Sequence, residues 1–213
     1  MIMKTYVLIL AMSLLTQFSW ASDKYEQAML KNIEAVYDAE TPEGLQQAVN
    51  AFERIGGAEK DKWEPFYYAS FGYVMMSVRE QDATKKDGLL DKAQEVLKKA
   101  SAINSQESEI VALEGFIYMM KVTVDPASRG QQYSGLAMQT FGKALGMNPE
   151  NPRALALMAQ MELGTAQFFK SPIDKACATA KGALEKFDSF QSNNPLAPRW
   201  GRYNAMMVVN QCK

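Results

Sequence analysis

Residues 137–149 read AMQTFGKALGMNP, and the size pattern in this stretch decides the fold. Ala137 is small, Phe141 is large, Ala144 is small again, and Asn148-Pro149 ends the run. A step of four and then three residues puts these side chains on one face of a helix. Small residues on such a face let a neighbouring backbone approach closely, and the ring between them fills the gap. The residue before a proline is biased away from helical backbone, so Asn148 marks a stop.

The pattern recurs along the chain. In AQEVLKKASAINS (93–105), Ala93, Leu97, Ala100, Ile103 and Asn104 stand 44 residues before Ala137, Phe141, Ala144, Met147 and Asn148. Val111-Ala112-Leu113 and Leu155-Ala156-Leu157 share that offset. A fainter earlier unit has Ala48, Phe52 and Ile55, then Tyr68, Phe71 and Gly72. A later one has Ala180, Leu184 and Phe187 before Asn194-Pro195. Self-similarity at a fixed period in a helical chain is the mark of stacked helix pairs, because one pair cannot bury its own apolar face.

Helical periodicity extends through the rest of the sequence, and alternating strand patterns are absent. The spacing predicts helices over roughly 23–39, 41–55 (stopping at Gly56-Gly57), 63–79, 89–103, 107–122, a long one ending at Met147, 152–168 and 172–190. A C-terminal segment follows from Arg199. The connectors read as short and polar, with EQDATKKDG, DPASRG and QSNNPLAP as the clearest. The expected class is all-α.

At this point the chain resembles the tetratricopeptide repeat (TPR) family. Ala137, Phe141, Ala144 and Pro149 match the small, aromatic, small, proline spacing of that motif's second helix. Tyr68, Phe71, Gly72 and Met75 suit its first helix, and Val111, Gly115 and Tyr118 suit it in part. In the next unit Ala159 and Glu162 replace the glycine and the aromatic. The period is 44 residues rather than 34, and the extra residues are expected between the two helices of a pair, around VDPASRGQQY. The resemblance covers about residues 42–195. It implies a TPR-like solenoid of antiparallel helix pairs with capping helices. It also implies a concave groove lined by the first helix of each pair: Phe66, Tyr73 and Met76, then Glu109, Phe116 and Met119, then Arg153, Gln160 and Leu163.

The stretch WEPFYYASFGYVMM (63–76) holds too many rings for all of them to face a single core. Two readings stand side by side: an open groove for an apolar peptide, a partner helix or a glycan, or rings buried against helix 23–39 or the C-terminal segment, since repeat arrays need capping.

Composition narrows the chemistry. The sequence has no histidine, which removes the commonest general base and metal ligand and the usual partner of a nucleophilic serine or cysteine. Gly135 and Gly142-Lys143 are too far apart for a phosphate loop, lack the following Ser/Thr and fall inside a helix. Carboxylate pairs such as Glu107 with Glu109, or Glu40 with Glu43, sit near helix starts, where the macrodipole favours negative charge. No metal, cofactor or catalytic activity is expected. A formal net charge of −1 gives no overall electrostatic footprint for nucleic acid or an anionic membrane.

The first 21 residues, MIMKTYVLILAMSLLTQFSWA, read as a secretory leader: Lys4, an apolar run from Tyr6 to Leu15, then Ser19-Trp20-Ala21 at a cleavage site. Residues 22–213 are then one domain, with no second apolar segment long enough to span a bilayer. In an exported chain the two cysteines, Cys177 and Cys212, suit a single disulfide, with two free thiols as the alternative. The expected function is a non-catalytic, periplasmic or secreted adaptor or scaffold that binds a protein or peptide. The alternatives are a small-ligand or glycan-binding helical protein and a histidine-free hydrolase.

Overall fold

A computed structural model of the chain describes residues 23–212; the leader reading over 1–21 lies outside them. The described residues contain no strand and form nine helices: α1 (23–38), α2 (Pro42–Ala58), α3 (Glu64–Arg79), α4 (Ala83–Ile103), α5 (Ser108–Val122), α6 (Pro126–Met147), α7 (Pro152–Phe169), α8 (Asp174–Ser189) and α9 (Arg202–Val209). The starts follow local chemistry. Thr41, Asp82, Asp125 and Asn151 each accept a hydrogen bond from a backbone N–H of the first turn, satisfying a donor the helix itself cannot. Prolines occupy the first helical positions of α2, α6 and α7, where a missing N–H costs nothing.

From α2 onward each helix packs on its sequence neighbours, α9 on α8 included although a non-helical segment joins the two. The odd-numbered helices also touch one another in series: α3 with α5, α5 with α7, and α7 with α9. Helices α3, α5, α7 and α9 therefore form an inner layer, and α4, α6 and α8 an outer one. α1 contributes Met29, Ile33 and Val36 to the main core and caps the first end.

Phe141 shows why the size pattern works. It is fully buried, and its ring lies over Gly115 of α5, where any Cβ would collide with it. Ala137 and Ala144 on either side of it are also fully buried. The small–large–small face of α6 therefore meets a small residue of α5 across a close helix contact.

Three boundaries differ from the sequence reading. α2 runs through Gly56-Gly57 to Ala58, because Phe66 packs onto Gly56 and holds that turn in place. α4 begins at Ala83 rather than Leu89, since Asp82 caps it through Lys85 N at 2.8 Å. Most importantly, the extra residues of the 44-residue period are not an extended connector. Only Thr123, Val124 and Asp125 separate α5 from α6, and VDPASRGQQY is largely the first turns of a 22-residue helix. The lengthened outer helices are held by ion pairs: Lys121 of α5, almost fully buried, binds Asp87 at 3.1 Å and Asp91 at 2.6 Å on α4, and Arg129 of α6 binds Asp87 at 2.7 Å.

Cys177 and Cys212 form a disulfide, with Cα atoms 5.8 Å apart, tying the end of the chain to the first turns of α8. Phe141→Ala is expected to destabilise the protein by about 3–5 kcal/mol, the cost of a large buried ring replaced by a cavity. Urea unfolding followed by circular dichroism measures this, and a loss below about 1 kcal/mol would deny Phe141 its central place.

Candidate functional site

The inner layer keeps a strict register that can be read from its hydrogen bonds. Arg153 of α7 binds Glu109 of α5, Asn204 of α9 donates to Gln160 of α7 at 2.9 Å, and Gln167 of α7 donates to Gln211 at 2.8 Å. Each pair is 44 residues apart. α9 is therefore the first helix of a further unit, parallel to α7.

A non-helical strap, residues 190–201, crosses the inner face between α8 and α9. Its anchors come from four helices, α1, α3, α5 and α7. Tyr68 of α3 donates to the Leu196 carbonyl at 2.7 Å, and Arg153 of α7 donates to the Pro198 carbonyl at 2.9 Å. The Trp200 indole N–H donates to the Tyr67 hydroxyl at 3.0 Å. Arg199 pairs with Glu34 of α1 at 2.7 Å, and its backbone N–H donates to the Tyr37 hydroxyl at 3.1 Å. Trp200 itself is stacked between Phe71 of α3 and Phe116 of α5, with centroids 5.2 and 5.6 Å away and planes within 26°. The strap ends at Gly201, whose φ of +103° and contact with Arg153 (2.8 Å from its Cγ to any added Cβ) exclude side chains.

Beneath the strap lies a buried ion pair. Arg153 is 1 % exposed and grips Glu109 through two hydrogen bonds of 2.7 Å, while the Phe190 ring covers its guanidinium at 4.6 Å. Burial opposes the Arg153 cation, but Glu109 outweighs it and the net pKa shift is upward. Burial also raises the pKa of Tyr67 and Tyr68, so both stay neutral hydroxyls able to donate and accept.

The residues expected to line a groove separate into distinct places. Phe66 packs on Gly56 of α2 with Lys99 of α4 over its ring, and Tyr73 is buried with its hydroxyl 3.4 Å from Glu53 of α2. Met76 lies in the main core. Phe66 and Tyr73 thus face the helices flanking α3, and Phe71 is the residue of α3 that stands opposite Phe116. Glu109, Phe116, Arg153 and Gln160 are brought together on the inner face, where the strap and α9 cover them. Met119 is half-buried beside them, and Leu163 is buried against Val208 of α9. Sequence reasoning missed Trp200, Tyr67 and the strap. The available signal was that QSNNPLAPRW carries Leu196 and Trp200 among its polar residues, so it is not a purely polar connector.

Among the described residues, α9 opens a unit that has no second helix. Gly115 on α5 faces Phe141 of α6, and Ala159, its counterpart on α7, is buried against Ala176 and Ala180 of α8. One register further on stands Tyr203 of α9, 69 % exposed, with Met206 and Met207 also exposed. Among the described residues no helix follows α9 to cover this face, which leaves an aromatic ring and two thioethers in solvent.

No family model matches the chain, and no curated protein matches it. Solved structures do match it, two of them as follows. The HusA haemophore from Porphyromonas gingivalis superposes with a TM-score of 0.79 at 27 % identity, covering 89 % of this chain and 92 % of that one. TTC0263, a thermophilic TPR protein in Thermus thermophilus, superposes with a TM-score of 0.57 at 18 % identity, covering 92 % and 96 %. The fold is TPR-like.

Arg153→Met is expected to cost about 3–5 kcal/mol, because Glu109 is left buried without its partner. Arg153→Met combined with Glu109→Leu is expected to cost less than the single change. Urea unfolding of both variants decides it; a double variant less stable than the single one would contradict the reading.

Proposed function

We propose that this chain is an exported, non-catalytic carrier of haem or a closely similar planar tetrapyrrole. One observation carries the reading: the likeness to a haemophore runs over nearly the whole of both chains at 27 % identity. The disulfide between Cys177 and Cys212 supports an exported protein, as bridges of this kind persist in oxidising compartments; the periplasm or the external medium is the proposed location.

The chemistry of the exposed face fits such cargo. With no histidine in the chain, a bound tetrapyrrole must be held by ring packing, thioethers or a phenol. Tyr203, Met206 and Met207 present those groups together on α9, within about one helical turn. Methionine adapts its shape to a flat ligand, and tyrosine offers a rigid face with a polar tip. Trp200, three residues before Tyr203, supplies a fluorescent reporter for the seat.

The adaptor reading is the second proposal, and it rests on the same feature. An unpaired first helix at the end of a repeat array is where a helix of a partner protein can dock. The strap makes the inner groove a poorer candidate for that role than α9, because the chain already fills it with its own residues.

Haemin titrated into the protein separates the two. A carrier is expected to give a saturable shift of the Soret band with one equivalent, together with quenching of tryptophan fluorescence. Tyr203→Ala/Met206→Ala/Met207→Ala is expected to weaken binding about tenfold or more, given roughly 1.5 kcal/mol or more for each large side chain buried. No saturable spectral change would refute the carrier reading. Saturable binding that is unaltered in the triple variant would refute only the α9 seat.

A further inference from the structure

We propose that the tip formed by the end of α7 and the start of α8 is a docking site for an anionic lipid surface. Phe168 and Phe169 close α7 with their rings 5.0 Å apart and edge-on, 80 % and 71 % exposed. Exposed apolar surface gathered in one place marks an interaction site, whereas isolated apolar residues on a surface are ordinary. The pair is not needed for packing, because Leu157, Met161, Leu163 and Ala166 already bury the inner faces of α7. Fraying does not account for it either. Lys170 turns the chain in the left-handed region, its N–H bonds the Gln167 carbonyl and the Ser171 N–H bonds the Ala166 carbonyl at 2.9 Å. The disulfide fixes the first turns of α8 beside them.

Charge chooses the occupant. Between Leu163 and Leu184 there are three lysines, Lys170, Lys175 and Lys181, against the single acid Asp174. All three lysines are exposed, and Lys175 alone is paired, with Glu162 at 2.9 Å. With Glu162 set against Lys175, the segment from 162 to 184 carries a net charge of +1 where the whole chain carries −1, and its unpaired lysines are Lys170 and Lys181. Protein interfaces are depleted in lysine, whereas phenylalanine flanked by lysine is the composition of segments that lie in a lipid headgroup layer. A projecting tip also suits a shallow insertion better than a groove would. No helix among the described residues is long and apolar enough to cross a membrane, so the association is peripheral. Phe168 and Phe169 enter the acyl boundary, and Lys170 and Lys181 meet lipid phosphates.

The test is flotation of the mature chain with vesicles of phosphatidylglycerol and phosphatidylcholine in equal parts, compared with pure phosphatidylcholine. The protein is expected to float with the anionic vesicles, to release in high salt and not to float with the neutral ones. Phe168→Ser/Phe169→Ser and Lys170→Glu/Lys181→Glu are each expected to reduce partitioning about tenfold or more. Both variants alter exposed residues, so circular dichroism and thermal unfolding should match the wild type. Failure to float, or flotation unchanged in both variants, overturns the proposal. So does sedimentation velocity showing that the phenylalanine pair instead joins two copies of the chain.

Discussion

A guanidinium cannot be buried without a partner, and that constraint organises the centre of this molecule. Arg153 is fully enclosed, and its contacts come from separate parts of the chain: Glu109 on α5, the Pro198 carbonyl on the strap, and the rings of Phe187 and Phe190 at the end of α8. Removing either charge leaves the other desolvated, so the pair fixes the register of α5 against α7. Pro198 and Gly201 are then held where Trp200 must enter the slot between Phe71 and Phe116. Three successive repeats, through α3, α5 and α7, and the C-terminal segment are locked by one ion pair and one sandwiched ring.

Much of this was legible in the sequence because repeats are written as local size patterns. Ala93, Leu97 and Ala100, one period earlier, are buried as Ala137, Phe141 and Ala144 are, and Phe141 over Gly115 is the contact that the pattern implies. Cys177 and Cys212 could be paired because an exported chain with two cysteines has few other arrangements. The length of α6 was misjudged for a physical reason: its first turns are polar and exposed, held by the Asp125 cap and the Arg129–Asp87 pair rather than by an apolar face. Periodicity detects burial, and those turns have little.

The inner face was harder to read, again for a physical reason. Aligning Gly72 with Gly115 pairs Tyr73 with Phe116 in sequence, yet in space Phe71 is the ring that faces Phe116 across Trp200. A ring wedged between successive helices touches the forward flank of one and the rear flank of the next, and those flanks are different positions of the repeat. Phe66 and Tyr73 lie on neither flank and turn toward α2 and α4. The strap carries no periodicity, and its hold on the groove depends on distant partners in the chain, such as Tyr67 and Tyr68. No local pattern encodes such a contact. With the groove filled from within, the unsatisfied surface moves to the end of the array, to α9 and to the tip of α7. Among the described residues no helix covers the face of α9 that carries Tyr203, Met206 and Met207, and a ligand or partner can use it.

The central claim is that the strap is an integral layer of the structure rather than a loose connector. Hydrogen–deuterium exchange across residues 190–201 tests this most directly. The amides of Leu196, which bonds the Asn194 side chain, and of Arg199, which bonds the Tyr37 hydroxyl, are predicted to exchange nearly as slowly as those of α5 and α7. Trp200→Ala should speed that exchange while leaving α5 and α7 protected. Exchange at the rate of an unstructured peptide in the wild-type protein would contradict the account.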